Sequence, residues 1–343
     1  MRALIVEKPG NPPVLSVVQA PDPVPSPGEA LVQVAACGFC HHDLLVMKGV
    51  LRRGVRPRLI LGHEVAGMVV QVGEGVSTLQ AGDRVVSILT NACGNCDRCS
   101  QGREHRCRQG EGIGHGRDGG FAEYVAVSEH SLVSVPDGVD LTTAALFACP
   151  MGVSLQAVQQ TAKVRPGETV VVTGAGGGLG VHAVQIGAAL EGRVMAVTSS
   201  PEKEAALAEM GASQVLETAP LDFDEMVLAL TEDEGAGVVI DTVGSALFPA
   251  TWRSLGQYGR LVLLGEVAGG PVSLDLAEII FRDARILGSS GVSRDLVRQV
   301  AGMVVRGVLR PVVSQSFPLE QAATAFDLLS SRSVLGRLVL LPR

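Results

Sequence analysis

Four cysteines, Cys93, Cys96, Cys99 and Cys107, are spaced C-x2-C-x2-C-x7-C. Four soft thiolates that close together suit a tetrahedral structural zinc, a closed site that holds a fold and does no chemistry. The chain has seven cysteines, an odd number that fits metal ligation in a reducing compartment better than a disulfide framework. Cys40, the run Gly62-His63-Glu64 and Cys149 offer two more thiolates, an imidazole and a carboxylate, able to hold a second, chemically active metal. A third group is the turn Gly174-Ala175-Gly176-Gly177-Gly178-Leu179-Gly180. It contains no strict G-x-G-x-x-G but fits A-x-G-x-x-G through Ala175, Gly177 and Gly180. Placed between a strand-like run and a helix, such a turn brings backbone donors and a helix N-terminus to a dinucleotide pyrophosphate.

The next strand ends in Thr198-Ser199-Ser200-Pro201-Glu202-Lys203. A site for NAD usually carries an acidic residue there for the ribose 2′-hydroxyl, and positions 198–200 hold none. Hydroxyls and Lys203 accommodate a 2′-phosphate instead, which favours NADP(H) over NAD(H). Ser200 before Pro201 also reads as a helix N-cap, which accounts for Ser200 but not for the missing acid.

These groups need elements to position them. At 343 residues the chain has room for two domains. Residues 1 to about 150 carry short apolar runs punctuated by Gly and Pro, such as Ala30-Leu-Val-Gln-Val-Ala and Val65-Ala-Gly-Met-Val-Val, and read as a β-rich, barrel-like domain. From about residue 152 strands alternate with helices: Val170–Thr173, a helix over 182–190, Arg193–Val197, a helix over 202–210, Gln214–Leu216, a helix over 223–230, Val238–Asp241 and Arg260–Leu264. That alternation predicts an α/β, doubly wound parallel sheet. The tail predicts helices near 294–307 and 320–330, then a strand from Gly336 that returns to the first domain.

A net charge of −7 and the lack of a long basic run argue against nucleic acid or an anionic membrane as partner. No apolar stretch is long enough to span a bilayer, and the N-terminus reads straight into a strand, so a cytoplasmic location is the default.

The order and spacing of these motifs resemble the zinc-dependent medium-chain dehydrogenases, the alcohol dehydrogenase family, over essentially the whole length. The carriers are Cys37-Gly-Phe-Cys40-His-His-Asp43, Gly62-His-Glu64, the four-cysteine lobe, Asp118-Gly-Gly-Phe-Ala-Glu-Tyr, Cys149, the glycine turn and Gly336-Arg337. The resemblance implies a GroES-like catalytic domain over 1–151 and 286–343, with a zinc lobe at about 91–110, and a Rossmann cofactor domain over 152–285. It implies two zinc ions per chain: a catalytic one on Cys40, His63 and Cys149, and a structural one on the four-cysteine lobe. Asp43 would orient His63, and Glu64 would lie beside the metal. His41, Arg337 and Gly265 fall at cofactor-side positions, alongside the glycine turn with Gly178 and Leu179; Arg337 alone would also pass for a surface charge. Leu45, Phe147 and Leu264 fall at apolar pocket positions.

One position departs from the family. Two residues after the cysteine ligand, where a Ser or Thr hydroxyl usually passes the alcohol proton, stands His42. Either His42 takes that proton itself, or it fills space or binds cofactor. The expected activity is hydride transfer between NADP(H) and an alcohol, aldehyde or ketone. The C-terminal half, through Val-Val-Thr-Gly-Ala-Gly-Gly-Gly-Leu-Gly and Asp241-Thr-Val-Gly244, is also similar to acryloyl-CoA and related enoyl reductases of the same superfamily, which gives the alternative. A non-catalytic nucleotide-binding protein is a remote third reading. The partner is a small-molecule substrate, and the resemblance implies a homodimer or homotetramer.

Overall fold

A computed structural model describes residues 1–56, 58–218 and 223–343. The chain divides into two compact units: Met1–Gly152, Gly291–Gly307 and Pro311–Arg343 form the first, and Val153–Ser290 with Val308–Arg310 the second.

The first unit begins with β1 (Arg2–Lys8) and β2 (Val14–Gln19), an antiparallel pair, followed by β3 (Glu29–Phe39). In β3 the residues Ala30, Val32, Val34, Ala36 and Cys37 are buried, so this strand runs through the middle of the core. Cys40 then opens helix α1 (His41–Met47). Strands β4 (Glu64–Val72), β5 (Arg84–Ser87), the short β6 (Thr90–Asn91) and β7 (Glu111–Gly112), β8 (Tyr124–Ser128) and β9 (Leu132–Ser134) follow, then the one-turn helix α2 (Leu141–Ala144). The core of these strands includes Phe39, Phe121, Ile113 and Leu44, with Phe39 and Phe121 meeting edge to face at 5.6 Å.

The second unit is built of β10 (Thr169–Thr173), α3 (Gly178–Ala189), β11 (Arg193–Thr198), α4 (Glu204–Glu209), β12 (Gln214–Glu217), α5 (Phe223–Leu230), β13 (Ala236–Asp241), α6 (Phe248–Arg253), β14 (Leu255–Leu263), α7 (Leu276–Arg282) and β15 (Arg285–Gly288). Among the described residues these strands form one parallel sheet in the order β12-β11-β10-β13-β14-β15. The strand order reverses between β10 and β13, the switch point at which an open parallel sheet takes its ligand. Valines in β10, β11 and β13 are fully buried, as a sheet covered on both faces requires.

Because β15 pairs with β14, this unit runs to Ser290, five residues past the boundary at 285 that the sequence suggested. The chain then adds α8 (Arg294–Val305), β16 (Val313–Pro318), α9 (Ala322–Ser330) and β17 (Arg337–Leu341) to the first unit. Strand β17 lies antiparallel against β3, closing a path β16-β17-β3-β4-β5-β9.

Candidate active site and metal centres

Register explains why distant residues meet. In the β3–β4 pair Gly38 faces Glu64, and in the β3–β17 pair Phe39 faces Leu338. Cys40, His63 and Arg337 each lie one step beyond these partners, so three strand ends deliver a thiol, an imidazole and a guanidinium to one place. Cys149 arrives from the π-helical segment Phe147–Val153. The ligand atoms of Cys40, His63, Glu64 and Cys149 all lie within 4.8 Å of one another, and all four residues are buried.

The donor set fits a zinc ion. The Cys40 and Cys149 sulfurs are 4.0 Å apart; two Zn–S bonds of tetrahedral geometry separate sulfurs by roughly 3.8 Å, far beyond the length of a disulfide. Among the described residues both buried Glu64 oxygens lack a hydrogen-bond partner, with only the Arg337 ion pair near them, and His41 Nε2, His42 Nδ1, His63 Nδ1, Asp43 Oδ1 and Arg337 Nε are unpartnered too. Buried polar atoms left so are costly unless something satisfies them. Cys40, His63 and Cys149 would hold the metal, leaving a fourth position open.

Asp43 organises this centre. Cys40 is the N-cap of α1 and Asp43 its third residue; the Asp43 carboxylate accepts the Cys40 backbone N–H at 2.9 Å. Its other oxygen lies 3.5 Å from His63 Nδ1 and 3.8 Å from His42 Nδ1. Burial alone would raise the Asp43 pKa, but the His63 and His42 imidazoles outweigh it and hold the carboxyl well below its usual range. Contact on Nδ1 leaves Nε2 of His63 as the metal-facing nitrogen.

Glu64 sits opposite Gly38, where a Cβ would overlap its carboxylate. Burial pushes the Glu64 carboxyl up to about 7, against the pull of Arg337. The Arg337 guanidinium is buried, 3.1 Å from Glu64 Oε1 and 3.8 Å from the Cys149 sulfur. No local pattern announces this ion pair, because a single arginine ahead of an apolar strand looks like any surface charge.

His42 is half-buried. Its ring meets His63 edge-on at 5.1 Å, and its Nε2 is 3.2 Å from Nδ1 of His115. His115 was not anticipated; the signal available was its place in the glycine-dense run Gly112-Ile-Gly-His-Gly. Burial and the neighbouring His42 lower the His115 pKa. His41, also half-buried, is kept below its ordinary pKa chiefly by burial. Leu45 is half-buried beside it on α1, and Phe147 is wholly buried.

The four lobe cysteines converge as the spacing suggested. Sulfur separations are 3.4 Å for Cys93–Cys107, 3.5 Å for Cys96–Cys99 and 3.9 Å for Cys96–Cys107. All four sulfurs lie within 4.8 Å of one another, a set that would hold a zinc ion. Of the arginines around the lobe, Arg108 pairs with Asp97 at 2.6 Å and Arg98 donates to the Arg106 carbonyl. The His105 imidazole packs on Gly291, and burial with Arg106 and Arg103 pushes its pKa down to about 4.

In the second unit the glycine turn links β10 to α3, with Gly177 as N-cap. Gly174 has φ +59°, and a Cβ at Gly180 would overlap the Gly174 carbonyl, so both positions demand glycine. Ala175 is buried, and the Leu179 carbonyl accepts the Ser154 hydroxyl. Thr198 is buried and its hydroxyl accepts the Ser200 N–H, which leaves Ser199 exposed. The Lys203 stem lies over Gly176 and is only 6% exposed. Glu217 of the edge strand β12 stands opposite Thr198, an acid near the strand end. Gly265 follows β14 and donates to the Asp241 carbonyl, and Leu264 beside it is half-buried.

Residues 26–137 match the alcohol dehydrogenase GroES-like domain and residues 178–306 the zinc-binding dehydrogenase domain. The acryloyl-coenzyme A reductase of Metallosphaera sedula is 34% identical over 99% of both chains. An alcohol dehydrogenase of Geobacillus stearothermophilus is 32% identical, again over 99% of both. The crystal structure of the alcohol dehydrogenase from Aeropyrum pernix superposes over 100% of both chains with a TM-score of 0.93 at 29% identity. With two metal-binding constellations on a GroES-like unit and a parallel-sheet nucleotide unit, the chain is an oxidoreductase that belongs to the zinc-type medium-chain dehydrogenase/reductase family.

Proposed function

We propose that the chain moves hydride between NADP(H) and a carbonyl-bearing substrate whose oxygen is drawn to the metal centre of Cys40, His63 and Cys149. The convergence of those three ligands with Glu64 inside 4.8 Å carries the reading. A zinc held there would polarise the carbonyl as a Lewis acid, and the nicotinamide would supply the hydride. The protein's own groups do the rest. Asp43 fixes the His63 tautomer, and Arg337 balances the Glu64 carboxylate. His42, hydrogen-bonded to His115, is placed to hand on the proton in the absence of a hydroxyl at position 42. Lys203 over Gly176, with no acid at 198–200, supports NADP(H).

The first reading of the substrate is an aldehyde or ketone, reduced by NADPH and one proton to the alcohol. The second is an α,β-unsaturated acyl thioester, in which hydride adds to the β-carbon and a proton to the α-carbon while NADPH becomes NADP⁺. The acryloyl-coenzyme A reductase among the similar proteins and the replaced relay hydroxyl favour it. NADPH and NADH oxidation over aldehydes, ketones and enoyl-CoA thioesters, with and without chelator, tests both. Carbonyl reduction that disappears with the metal supports the first; enoyl reduction that survives it supports the second; turnover of neither class sinks the proposal. A homodimer or homotetramer in a reducing, cytoplasmic compartment belongs to this reading, and Leu276, Ile280 and Phe281 on α7, the last 80% exposed, offer an apolar face. A monomeric mass in solution would remove that part.

A further inference from the structure

The stretch Arg52-Arg-Gly-Val-Arg-Pro-Arg58 carries four arginines in seven positions of a chain whose net charge is −7. Arg52, Arg53, Arg56 and Arg58 are all exposed. Local acids answer only part of this charge. Arg58 pairs with Glu7 at 3.3 Å, and Arg56 stands 3.9 Å from Asp118. Arg52 spends its Nε on the Gly49 carbonyl at 2.6 Å, and the Arg53 side chain makes no hydrogen bond or ion pair among the described residues.

This basic loop is tied to the candidate active site. The Arg53 backbone hydrogen-bonds His115, and Gly54, at φ +81°, lets the His115 ring approach so closely that a Cβ would sit 3.0 Å from its Nε2. His115 in turn meets His42, and His42 meets the ligand His63. Two ring-to-ring contacts and one ring-to-backbone hydrogen bond thus run from the metal centre to Arg53. Beside these arginines is a cavity of about 500 Å³ lined by Val46, Leu51, Leu61, Arg52, Arg56 and Arg58, and by Glu7, whose carboxylate pairs with Arg58. Apolar walls with three guanidinium groups against one carboxylate suit a flat or flexible organic body that ends in phosphates.

We propose that Arg52, Arg53, Arg56 and Arg58 are the receptor for the phosphate-bearing nucleotide end of a coenzyme A thioester, whose acyl end lies at the metal centre. This rests on the thioester reading of the site and adds the groups that would select a coenzyme A ester over a small aldehyde. Guanidinium forks bind phosphate oxygens in pairs, and a chain of net negative charge needs such a local patch to attract a polyanion. Nucleic acid would offer phosphates too, but one short loop on an acidic chain gives no track for a backbone.

The test compares crotonyl-CoA with crotonyl-pantetheine, which lacks the nucleotide. In the wild-type protein kcat/KM for the CoA ester should exceed that for the pantetheine ester by about 10–100-fold, and the excess should shrink as ionic strength rises. In an R53A/R56A variant the ratio should fall toward one, through KM and not kcat. Adenosine 3′,5′-bisphosphate should compete with crotonyl-CoA in the wild type and weakly in the variant. Equal use of both esters by the wild type, or an unchanged ratio in the variant, overturns the loop assignment and leaves the enoyl reading standing. If neither ester is reduced while aldehydes are, the enoyl reading itself fails. Calorimetric titration with coenzyme A then decides the loop: binding lost in R53A/R56A supports it, and no binding, or binding equal in the variant, overturns it.

Discussion

Replacing Arg337 with Met removes the cation from the most buried ion pair of the first unit. Arg337 is 4% exposed and Glu64 is fully buried, their charges 3.1 Å apart. Methionine keeps much of the volume, so the change is mainly electrostatic. Breaking a buried pair by removing one partner costs about 3–5 kcal/mol where the group left behind stays ionised; Glu64, already pushed up to about 7 by burial, takes up a proton once Arg337 is gone, which holds the cost to about 3 kcal/mol. The first unit holds about 200 residues, a size at which each kcal/mol moves the melting midpoint by about 2–4 °C. The zinc-loaded R337M protein should therefore melt about 6–12 °C below the parent by calorimetry. E64Q/R337M should recover a large part of that loss, since the amide carries no charge to strand. A drop under about 3 °C, or a double variant as unstable as R337M, would refute the view that the guanidinium exists to balance Glu64.

Three further outcomes are expected. C99S should halve the zinc content and expose the lobe to trypsin at Arg98, Arg103 and Arg106, because a loop this polar has little else to hold it; unchanged metal content and cleavage would count against a structural zinc. K203A should raise the KM for NADPH about tenfold and leave that for NADH nearly unchanged, and parallel changes in both would remove Lys203 from 2′-phosphate selection. Glu129 is buried, and its carboxylate accepts the N–H groups of Ser77 and Thr78 and the Thr78 hydroxyl at 2.7 Å; these bonds outweigh burial and lower its pKa. A depressed folded pKa contributes stability above the ordinary carboxylate value, which is lost as pH falls through the folded one. E129Q should accordingly cost about 1–2 kcal/mol in urea melts at pH 7, a gap that closes below about pH 4.5; a gap independent of pH would show that charge is not the cause.

Local chemistry made some of the molecule legible and left other parts dark. The cysteine spacing was enough for the lobe, since the four thiolates lie within fifteen residues. Helix α5 could be read from its apolar pattern, Phe223, Val227 and Leu230 lying on one face. Helix α7 could not, because Leu276, Ile280 and Phe281 are exposed where the pattern would bury them. Strand β14 begins at Leu255, earlier than expected, since Gly256 and Gly259 interrupt the run that announces it. The partners of Arg337 and His42 depend on the strand registers at β3–β17 and β3–β4 and on the 112–117 loop, contacts made across long stretches of chain that no local pattern encodes.

The Asp43 carboxylate serves two structures at once. One oxygen closes the first turn of α1 on the Cys40 N–H, and the other faces the His63 ring. Helix start and ligand orientation are thus a single mechanical part. Whatever loosens one loosens the other, so the amides of α1 should exchange with solvent in step with metal occupancy. A protein built this way carries its own readout: the order of seven residues of helix reports whether the centre beside it is assembled.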